Sequence, residues 1–465
     1  MSRRAAAAMR VGPTACAAIG LGAVLVYAFA LLSIGLTCDW ELLHEDNGAL
    51  HTTFALSHLR LGLARTRAHD YFFEPKSGLA GRYGAHPPGP GLALAGAFAL
   101  TGSDTPAVAR LTAIGFQLGT VACTALLVGR LFDAPTALAG GALMATLPMA
   151  AFFGRMVNYE AFCLFAVMLQ LTGYVQWRQG TTRRGLATMM AGVGLGGLVD
   201  WPAFFFAAAI VLAMIADAAA RRRPHRGDLG RPSTQKSGWH AWSAPSVSAA
   251  SAAPIAVLAA WTGVVLAIDL AHLWLVGTGS IGSLRLVDRV LSRAWIGQWE
   301  ALHPLSFALG QLETARRYFT DAGLVAALVV ACALVARRWA PAAALLRAPD
   351  TDTLRRVLAI GGGVAAAYVL VAPEWARIHA YWQFYALPFV VLAMLLVLRA
   401  LVELGRTRAS AIARALLAAF VLDTVIGSAT TLHYRHTTRS SHAVRQVAEL
   451  RQNAMVPAYL ERAPR

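Results

Sequence analysis

The chain has 465 residues, of which 57% are hydrophobic and only 14% are charged. A soluble domain carries roughly a quarter charged residues, so this composition excludes an ordinary soluble protein. The formal net charge of +17 does not indicate a nucleic-acid partner, because the Lys and Arg residues lie in short loops between apolar runs. Basic loops of this kind face the cytoplasm and its anionic lipid surface.

Apolar runs predict membrane-spanning helices along the whole chain. The first run, 13–37, follows a segment that carries Arg3, Arg4 and Arg10, and it is too long for the apolar core of a cleaved signal peptide. We therefore expect a retained first span with the N-terminus in the cytoplasm. The predicted fold class is all-α, a polytopic bundle of about 11 spans at 13–37, 107–129, 135–153, 161–177, 185–199, 202–219, 254–276, 322–336, 357–372, 384–399 and 411–429.

The segment 87–102 is apolar but opens with His-Pro-Pro-Gly-Pro-Gly, and we predict that it forms a juxtamembrane helix on the outer face. Counting it as a span would invert every later loop and place the arginines of 221–223 outside, against the positive-inside rule. The first outer loop then covers 38–106, and a second long outer loop covers 277–321.

The predicted domain organisation is simple. Residues 1–430 form one transmembrane domain, and residues 431–465 form a short basic extracytoplasmic tail. Within the domain, the segment 220–253 is rich in Arg, Pro, Ser and Ala, which is typical of a flexible linker, here on the cytoplasmic side.

An acidic cluster follows the first span, in the run His44-Glu45-Asp46-Asn47-Gly48. Charges close to a bilayer are costly unless they are paired or used, so Glu45 and Asp46 are functional candidates. Further candidates lie on the later outer segments: Arg82, Tyr83 and His86 before Pro87-Pro88, then Arg155, Asn158 and Glu160, then Arg377, His379 and Tyr381. A carboxylate base facing several cations suits a reaction that takes a proton from an alcohol and expels a phosphate.

In their order and their shared outer side, these motifs resemble the C-type (GT-C) glycosyltransferases, in particular the protein O-mannosyltransferase and lipid A aminoarabinose transferase group of the family 39 type. The resemblance covers about 13–400. It is carried by the acidic motif after the first span, His86-Pro87-Pro88, Arg155 with Glu160, and His379-x-Tyr381 followed by Pro388. The Asp200-Trp201-Pro202 turn also fits, although we predict that Asp200 itself only caps or turns the chain.

The resemblance implies an enzyme of the cytoplasmic (inner) membrane that moves a sugar, with inversion, from a polyprenyl-phosphate carrier to an extracytoplasmic glycan, lipid or protein. Asp46 carries over as the catalytic carboxylate. Glu160 carries over as a supporting residue that orients the acceptor or pairs with Arg155. The implied donor-phosphate ligands are His86, Arg155, Arg377 and His379, and the implied substrate-cavity residues are Arg82, Tyr83, Asn158 and Tyr381.

Two departures from the family pattern limit these assignments. Many relatives have Asp-Glu where this chain has Glu45-Asp46, which leaves the position of the base open by one residue. Ala85-His86 replaces the Glu-Lys of the aminoarabinose transferases, which argues against aminoarabinose as the sugar. Some members bind a divalent cation near this site, but no pair of side chains here has a spacing that requires one. No metal ligand is therefore assigned, and a divalent cation stays open as the one candidate cofactor.

Two alternative functions remain at this point. A transporter or flippase of lipid-linked sugars would share the apolar bundle, but transporters tend to have internal repeats and ionisable groups near the bilayer midplane. A non-catalytic assembly subunit would keep the fold and dispense with Asp46. The candidate acids of this chain lie at helix ends, which favours the transferase.

Overall fold

The computed structural model describes residues 13–40, 44–74, 79–221, 249–277, 303–336, 340–371, 373–406 and 410–438. Within these ranges the chain forms seventeen α-helices, one 3-10 helix and one two-stranded antiparallel sheet. The predicted all-α transmembrane fold is confirmed, with the short sheet as an addition that the sequence did not predict. The predicted linker and tail fall mostly outside the described residues.

The helices and strands follow one another in this order: α1 Pro13–Leu32, α2 Asp46–Leu61, α3 Leu63–Thr66, β1 Tyr71–Glu74, β2 Leu79–Arg82, α4 Gly89–Thr101, α5 Pro106–Leu131, α6 Ala134–Thr146, α7 Pro148–Phe153, α8 Tyr159–Arg178, α9 Thr182–Gly197, α10 Pro202–Arg221, α11 Ala249–Gly277, α12 Pro304–Val335, α13 Ala340–Leu345, α14 Thr351–Val371, α15 Pro373–Ile378, the 3-10 helix Ala380–Ala386, α16 Leu387–Arg406 and α17 Ser410–Thr437.

Seven of the described helices are long and apolar enough to cross a membrane: Pro106–Leu131, Pro202–Ala219, Ala252–Trp274, Pro304–Val335, Thr351–Val371, Ala380–Arg406 and Ala411–Tyr434. The chain is therefore a multi-pass membrane protein. The other predicted spans are also helical and correspond to α1, α6 with α7, α8 and α9. The predicted span 135–153 divides into α6 and α7 at Leu147, where Pro148 forces the preceding residue into an extended conformation.

The first loop contains the juxtamembrane helices that the sequence predicted. Helix α4 runs for 13 residues after the two prolines and ends at Gly102, whose φ of 66° is the left-handed conformation that closes helices. Its face with Leu94 and Phe98 is buried against α2 and α5. The strands β1 and β2 pair with Tyr71 opposite Arg82, and Tyr83 N–H donates to the carbonyl of Asp70 at 2.8 Å.

The prediction of an outer loop over 277–321 is partly wrong, because the part from Pro304 onward is helical and belongs to α12. A break at Thr320, with φ 65° and ψ 166°, divides this helix into two segments. The Thr320 hydroxyl accepts a hydrogen bond from Gly323 N–H at 3.3 Å, and Asp423 accepts one from Ala322 N–H at 2.8 Å. These are the bonds of a helix N-terminus, so a new helical segment begins at Thr320 and coincides with the predicted span 322–336.

Helices α8 and α9 pack closely along their length because glycines line their contact. A Cβ at Gly185 would lie 2.6 Å from the Gly173 carbonyl oxygen, and one at Gly192 would lie 2.7 Å from that of Ala166. Small residues at helix contacts are the usual means of close packing in lipid. This contact holds the start of α8 and the end of α9 in a fixed relation at one end of the bundle.

At the opposite end of the bundle, a buried ion cluster joins three helices. Asp217 of α10, which is 4% exposed, forms ion pairs with Arg178 of α8 and Arg356 of α14. Arg178 also donates to the hydroxyl of Thr353 at 3.1 Å. A buried carboxylate is tolerated when it is paired and hydrogen-bonded in this way, and the cluster fixes the helix ends that lie farthest from the acidic motif.

Candidate active site

A buried ion triad lies directly before α2. Glu45 is 7% exposed, and its Oε2 accepts a hydrogen bond from Arg110 while its Oε1 accepts one from Arg155, each at 2.9 Å. The two arginine side chains are each 1% exposed. A carboxylate that is shared between two guanidinium groups in this way is strongly held, since removal of either partner leaves a buried charge without compensation.

The same two arginines bind the backbone that leads into the acidic motif. Arg110 donates to the carbonyls of Leu36, at 2.7 Å, and of Cys38, and Arg155 donates to the carbonyl of Ile34. The ring of Trp40 covers the Arg110 guanidinium at 4.5 Å. The backbone on both sides of the motif is thereby fixed, and so is the start of α2.

This triad changes two of the roles expected from the sequence. The structure brings Arg155 to Glu45 and not to Glu160, because the turn that carries Arg155 lies against the end of α1. Both oxygens of Glu45 are occupied, whereas Asp46 is partly exposed at the first position of α2. Arg110 was missed, although an arginine within the predicted span 107–129 is itself a signal for a specific role.

Tyr381 lies at the centre of the residues that the structure brings together. Its phenol interacts electrostatically with Asp46, Tyr83 and Glu160, and its hydroxyl lies 2.8 Å from Nδ1 of His379. We call Asp46, Tyr83, Glu160 and Tyr381 the carboxylate–tyrosine cluster. The 3-10 helix places Tyr381 there, since it follows the extended residue His379 and leads directly into α16.

His44 covers the cluster from the side of the acidic motif. Its backbone has a φ of 62°, and its ring contacts those of Phe153 and Tyr381, each at 5.9 Å between centroids. Burial lowers the pKa of His44, and the charge of Asp46 opposes part of that shift. A neutral His44 therefore lies next to the candidate base. Its left-handed backbone conformation is the local feature that turns the chain into α2.

Glu160 offers a carboxyl oxygen without a partner. The residue is 5% exposed in the first turn of α8, and its Oε2 has no hydrogen bond within the described part of the chain. The same holds for the buried hydroxyl of Tyr159. Burial of such groups without partners is unfavourable, so both are suited to accept or donate hydrogen bonds when a polar substrate enters.

His86 is held beside the cluster by aromatic stacking. Its ring lies 4.3 Å from the ring of Tyr159 and 6.0 Å from that of Tyr83. Its Nδ1 lies 2.8 Å from an oxygen of Asp200. Pro87 and Pro88 follow directly and restrict the backbone, as the sequence predicted.

Asn158 has a buried partner that the sequence did not identify. Its Oδ1 lies 3.1 Å from Nε2 of His51, which α2 presents from within the first loop. The His51 ring also contacts the ring of Tyr159 at 4.7 Å. Burial lowers the pKa of His51 to about 4, so a neutral imidazole donates to the amide oxygen and ties α2 to the start of α8.

The two remaining candidate cations are less constrained. Arg377 is exposed near the end of α15, two residues before His379. Arg82 is the last residue of β2, and its side chain lies outside the described atoms. As for metals, the described ranges contain no group of three or more His, Cys, Asp or Glu residues arranged to hold one.

An apolar groove of about 1140 Å³ lies between α12, α14 and α16. Its walls are small and aliphatic side chains such as Ala327, Leu328 and Ala331 on α12 and Gly362 and Ala366 on α14. Two of its lining residues are amides, Gln311 and Gln383, which hydrogen-bond each other at 2.8 Å. Gln383 lies two residues after Tyr381, so the 3-10 helix that lines the polar part of the groove also carries a member of the cluster.

Comparison with known proteins gives one family and several structures of similar fold. A family model described as dolichyl-phosphate-mannose-protein mannosyltransferase matches residues 85–226. The oligosaccharyltransferase of Archaeoglobus fulgidus, solved with Zn and sulfate, has a TM-score of 0.51 and 16% identity over 89% of this chain and 53% of that chain. In the comparison with curated proteins, no sequence matches this chain.

Two further structures contain bound lipid carriers. AglB from Archaeoglobus fulgidus, in complex with an inhibitory peptide and a dolichol-phosphate, has a TM-score of 0.50 and 16% identity, over 89% of this chain and 56% of that one. ArnT from Cupriavidus metallidurans, bound to undecaprenyl phosphate, has a TM-score of 0.50 and 14% identity, over 96% and 76%. The chain thus spans about half the length of the archaeal proteins and three quarters of ArnT.

Proposed function

We propose that the chain transfers a sugar from a polyprenyl-phosphate carrier to an extracytoplasmic acceptor, and its fold is that of the GT-C glycosyltransferases that its motifs resemble. The observation that carries this proposal is the apolar groove, which is lined at Gln383 by the same 3-10 helix that carries Tyr381 of the carboxylate–tyrosine cluster. A lipid-linked substrate has the same two parts, an apolar chain and a polar sugar phosphate.

The groove suits an isoprenoid chain because of its lining. Apart from Gln311 and Gln383, its lining is apolar and contains many alanines and glycines. A prenyl chain gains little from leaving one apolar medium for another, so its binding depends on close packing against small side chains. ArnT and AglB are solved with undecaprenyl phosphate and dolichol-phosphate, which supports a donor of this class.

In the proposed reaction, Asp46 acts as the base. The acceptor oxygen attacks the anomeric carbon from the face opposite the phosphate, and its proton passes to the Asp46 carboxylate. The bond between the anomeric carbon and the phosphate oxygen breaks, and the polyprenyl phosphate leaves with the electron pair. Attack from the opposite face inverts the configuration at the anomeric carbon.

Cationic and polar side chains on the other side of the cluster hold the donor. We assign His86, His379 and Arg377 to the leaving phosphate, where positive charge stabilises the transition state, and Arg82 to the same region. Glu160 uses its unpartnered oxygen to accept a hydrogen bond from a sugar or acceptor hydroxyl, with Tyr83, Asn158 and Tyr381 around it. Glu45 and Arg155 act indirectly, by fixing the backbone of Asp46.

The proposed location is the cytoplasmic membrane, with the N-terminus inside and the site outside. The support is the charge distribution. The end opposite the cluster carries Arg130, Arg178 and Arg356, and basic residues collect on the cytoplasmic side. An enzyme whose site lies outside the cytoplasm cannot rely on nucleotide sugars, so a lipid-linked donor is consistent with this location.

The test uses the purified chain in detergent with a panel of synthetic polyprenyl-phosphate sugars, radiolabelled in the sugar. We expect the wild type to consume one of them by transfer to acceptor or to water, and Asp46→Asn to remain folded and inactive. Asp104→Asn, at an exposed position between α4 and α5, is the matched control and should keep full activity. Unchanged turnover by Asp46→Asn, or movement of the lipid across vesicles without sugar transfer, would overturn the proposal.

A further inference from the structure

A buried carboxylate lies behind His86 at the turn between α9 and α10. Asp200 is 2% exposed. Its Oδ1 accepts hydrogen bonds from Nδ1 of His86 and from the backbone N–H of Trp201, each at 2.8 Å. Its Oδ2 accepts one from the hydroxyl of Tyr385 at 3.3 Å. Three different segments of the chain thus converge on one carboxylate.

Backbone contacts clamp this turn to the segment that carries His86. Gly89 N–H donates to the carbonyl of Leu198 at 2.7 Å, and the indole N–H of Trp201 donates to the carbonyl of Ala85 at 3.0 Å. A Cβ at Gly89 would lie 2.2 Å from the Leu198 carbonyl oxygen, so this close approach requires glycine. His86 is therefore held from both sides of its own backbone as well as through its ring.

A cap for the turn would need only the bond from Trp201 N–H to Asp200. The bonds to His86 and Tyr385 go beyond that role, and burial of the carboxylate is unfavourable unless they offset it. A histidine that donates from Nδ1 to a carboxylate has a fixed tautomer and a stabilised imidazolium form. The expectation that Asp200 only turns the chain is therefore too narrow.

The other titratable neighbours of this pair come from three elements. Tyr83 and Tyr159 stack on the His86 ring. Burial and the charge of His86 lower the pKa of His51 in α2 to about 4, so His51 stays neutral beside a charged His86. Burial and the charge of Asp200 raise the pKa of Glu160 in α8. Asp200 is the group in direct contact with the imidazole, so its charge has the largest effect on it.

We propose that Asp200 is a positioning residue that keeps the proton on Nδ1 of His86 and presents His86 to the donor phosphate as a fixed cation. This inference rests on the proposed function, because it assigns the cation to the leaving phosphate of that reaction. Tyr385 anchors the other carboxylate oxygen to the end of the 3-10 helix, so the same carboxylate also links the histidine to the segment that holds Tyr381.

The test compares Asp200→Asn, His86→Gln and the double variant. Asparagine keeps an oxygen for the bonds from His86 and Trp201 and removes the charge. We expect kcat/KM for the lipid donor to fall at least about tenfold above neutral pH, with the alkaline limb of the pH profile moved down by about one unit. The double variant should be no worse than His86→Gln, since the two residues act as one unit.

Asp133→Asn is the matched control, because Asp133 caps α6 through Thr136 N–H at 2.8 Å at the far end of the bundle. It should leave the pH profile unchanged. Additive losses in the double variant, or an Asp200→Asn enzyme whose pH profile matches the wild type, would overturn the proposal. A merely structural Asp200 would lower the yield of folded protein without moving the profile.

A second measurement does not depend on transfer. Carbethoxylation of His86 by diethyl pyrocarbonate, followed by mass spectrometry over a pH series, reports the neutral form of the ring, whose side chain is 13% exposed. We expect half-maximal reaction at a lower pH in Asp200→Asn. That shift without any transferase activity would retain the pair and reject the proposed function. Transfer that depends on Asp46, without such a shift, would retain the proposed function and reject the role of Asp200.

Discussion

Glu45 and Asp46 are adjacent in the chain, but their carboxylates have separate environments. Both oxygens of Glu45 are bound by Arg110 and Arg155 at 2.9 Å, whereas Asp46 is partly exposed at the start of α2, where its charge acts on the phenol of Tyr381. Many members of the family that the sequence resembles have the two acids in the opposite order, and the two environments favour different roles for the two acids in this chain. The bound carboxylate holds the loop, and the other one is free to accept a proton.

The first prediction separates these two roles. Glu45→Gln leaves two buried guanidinium groups without a counter-charge, and we expect it to lower the free energy of unfolding by about 3 kcal/mol. Asp46→Asn removes no such partner and should leave that free energy within about 0.5 kcal/mol of the wild type. Unfolding by SDS in mixed micelles measures both. If Glu45→Gln were stable and Asp46→Asn unstable, Asp46 would be the structural carboxylate and Glu45 the candidate base.

The second prediction concerns the two candidate arginines. Arg377 is exposed beside His379, so Arg377→Ala should raise the KM for the lipid donor several-fold without loss of stability. Arg155 is buried against Glu45, so Arg155→Met should be destabilised by about 3 kcal/mol, with little change in donor KM for the fraction that remains folded. Donor titrations at fixed acceptor measure the difference. A donor KM that is raised in Arg155→Met and not in Arg377→Ala would show that Arg155 binds the donor phosphate.

The sequence predicted the membrane fold and named all four members of the cluster as candidates for the same reason. Apolar length and loop charge are local properties, and they place Asp46, Tyr83, Glu160 and Tyr381 on one predicted side of the bilayer. Which of these side chains contact one another depends on the packing of the helices, and the spacing of residues in the sequence does not predict it. Asp200 lies 114 residues from His86, and nothing in the Asp-Trp-Pro turn indicates that its carboxylate faces another loop.

The same limit explains the breaks inside predicted elements. Thr320 caps the second segment of α12 because Gly427 of α17 leaves room for it: a Cβ at Gly427 would lie 2.6 Å from the Thr320 methyl carbon. From the sequence alone, a threonine in an apolar run is predicted to continue a helix. The break at Thr320 becomes evident only when the contact with another helix is seen. Arg110 was missed for a comparable reason, since its partners lie at the end of α1 and before α2.

The third prediction tests the groove with a pair of glycine variants. A Cβ at Gly363 meets nothing within 4 Å, and Gly363 lines the groove on α14. The Cβ of Gly363→Leu therefore has room, and we expect the side chain to occupy space that the prenyl chain needs and to raise the donor KM about tenfold or more. Gly115 also has open space around it but is exposed on α5, away from the groove, so Gly115→Leu is the control. Equal donor KM values for the two variants would place the lipid chain elsewhere.

The last prediction concerns the pH dependence of stability in the first loop. Asp70 is 1% exposed, and it lies between α3 and β1. Its Oδ1 is 3.0 Å from Nε2 of His58. Burial raises the pKa of Asp70 from its ordinary value of 3.8 to about 6, and the hydrogen bond and charge of His58 oppose part of that shift. The folded state therefore holds the Asp70 proton over a pH range in which the unfolded chain has already released it.

The sign follows from this difference in bound protons. Between pH 3.8 and about 6, the folded chain binds more protons at Asp70 than the unfolded chain does, so this group lowers the stability progressively as pH rises through that window. Asp70→Asn keeps an oxygen for His58 and cannot ionise, so the variant should lack this decline and be more stable than the wild type at pH 7. Melting temperatures in detergent at half-unit pH steps measure it, with Asp104→Asn as the exposed control. A wild-type stability that rises between pH 4 and 6 more steeply than that of Asp70→Asn would show that the carboxylate is ionised in the folded protein.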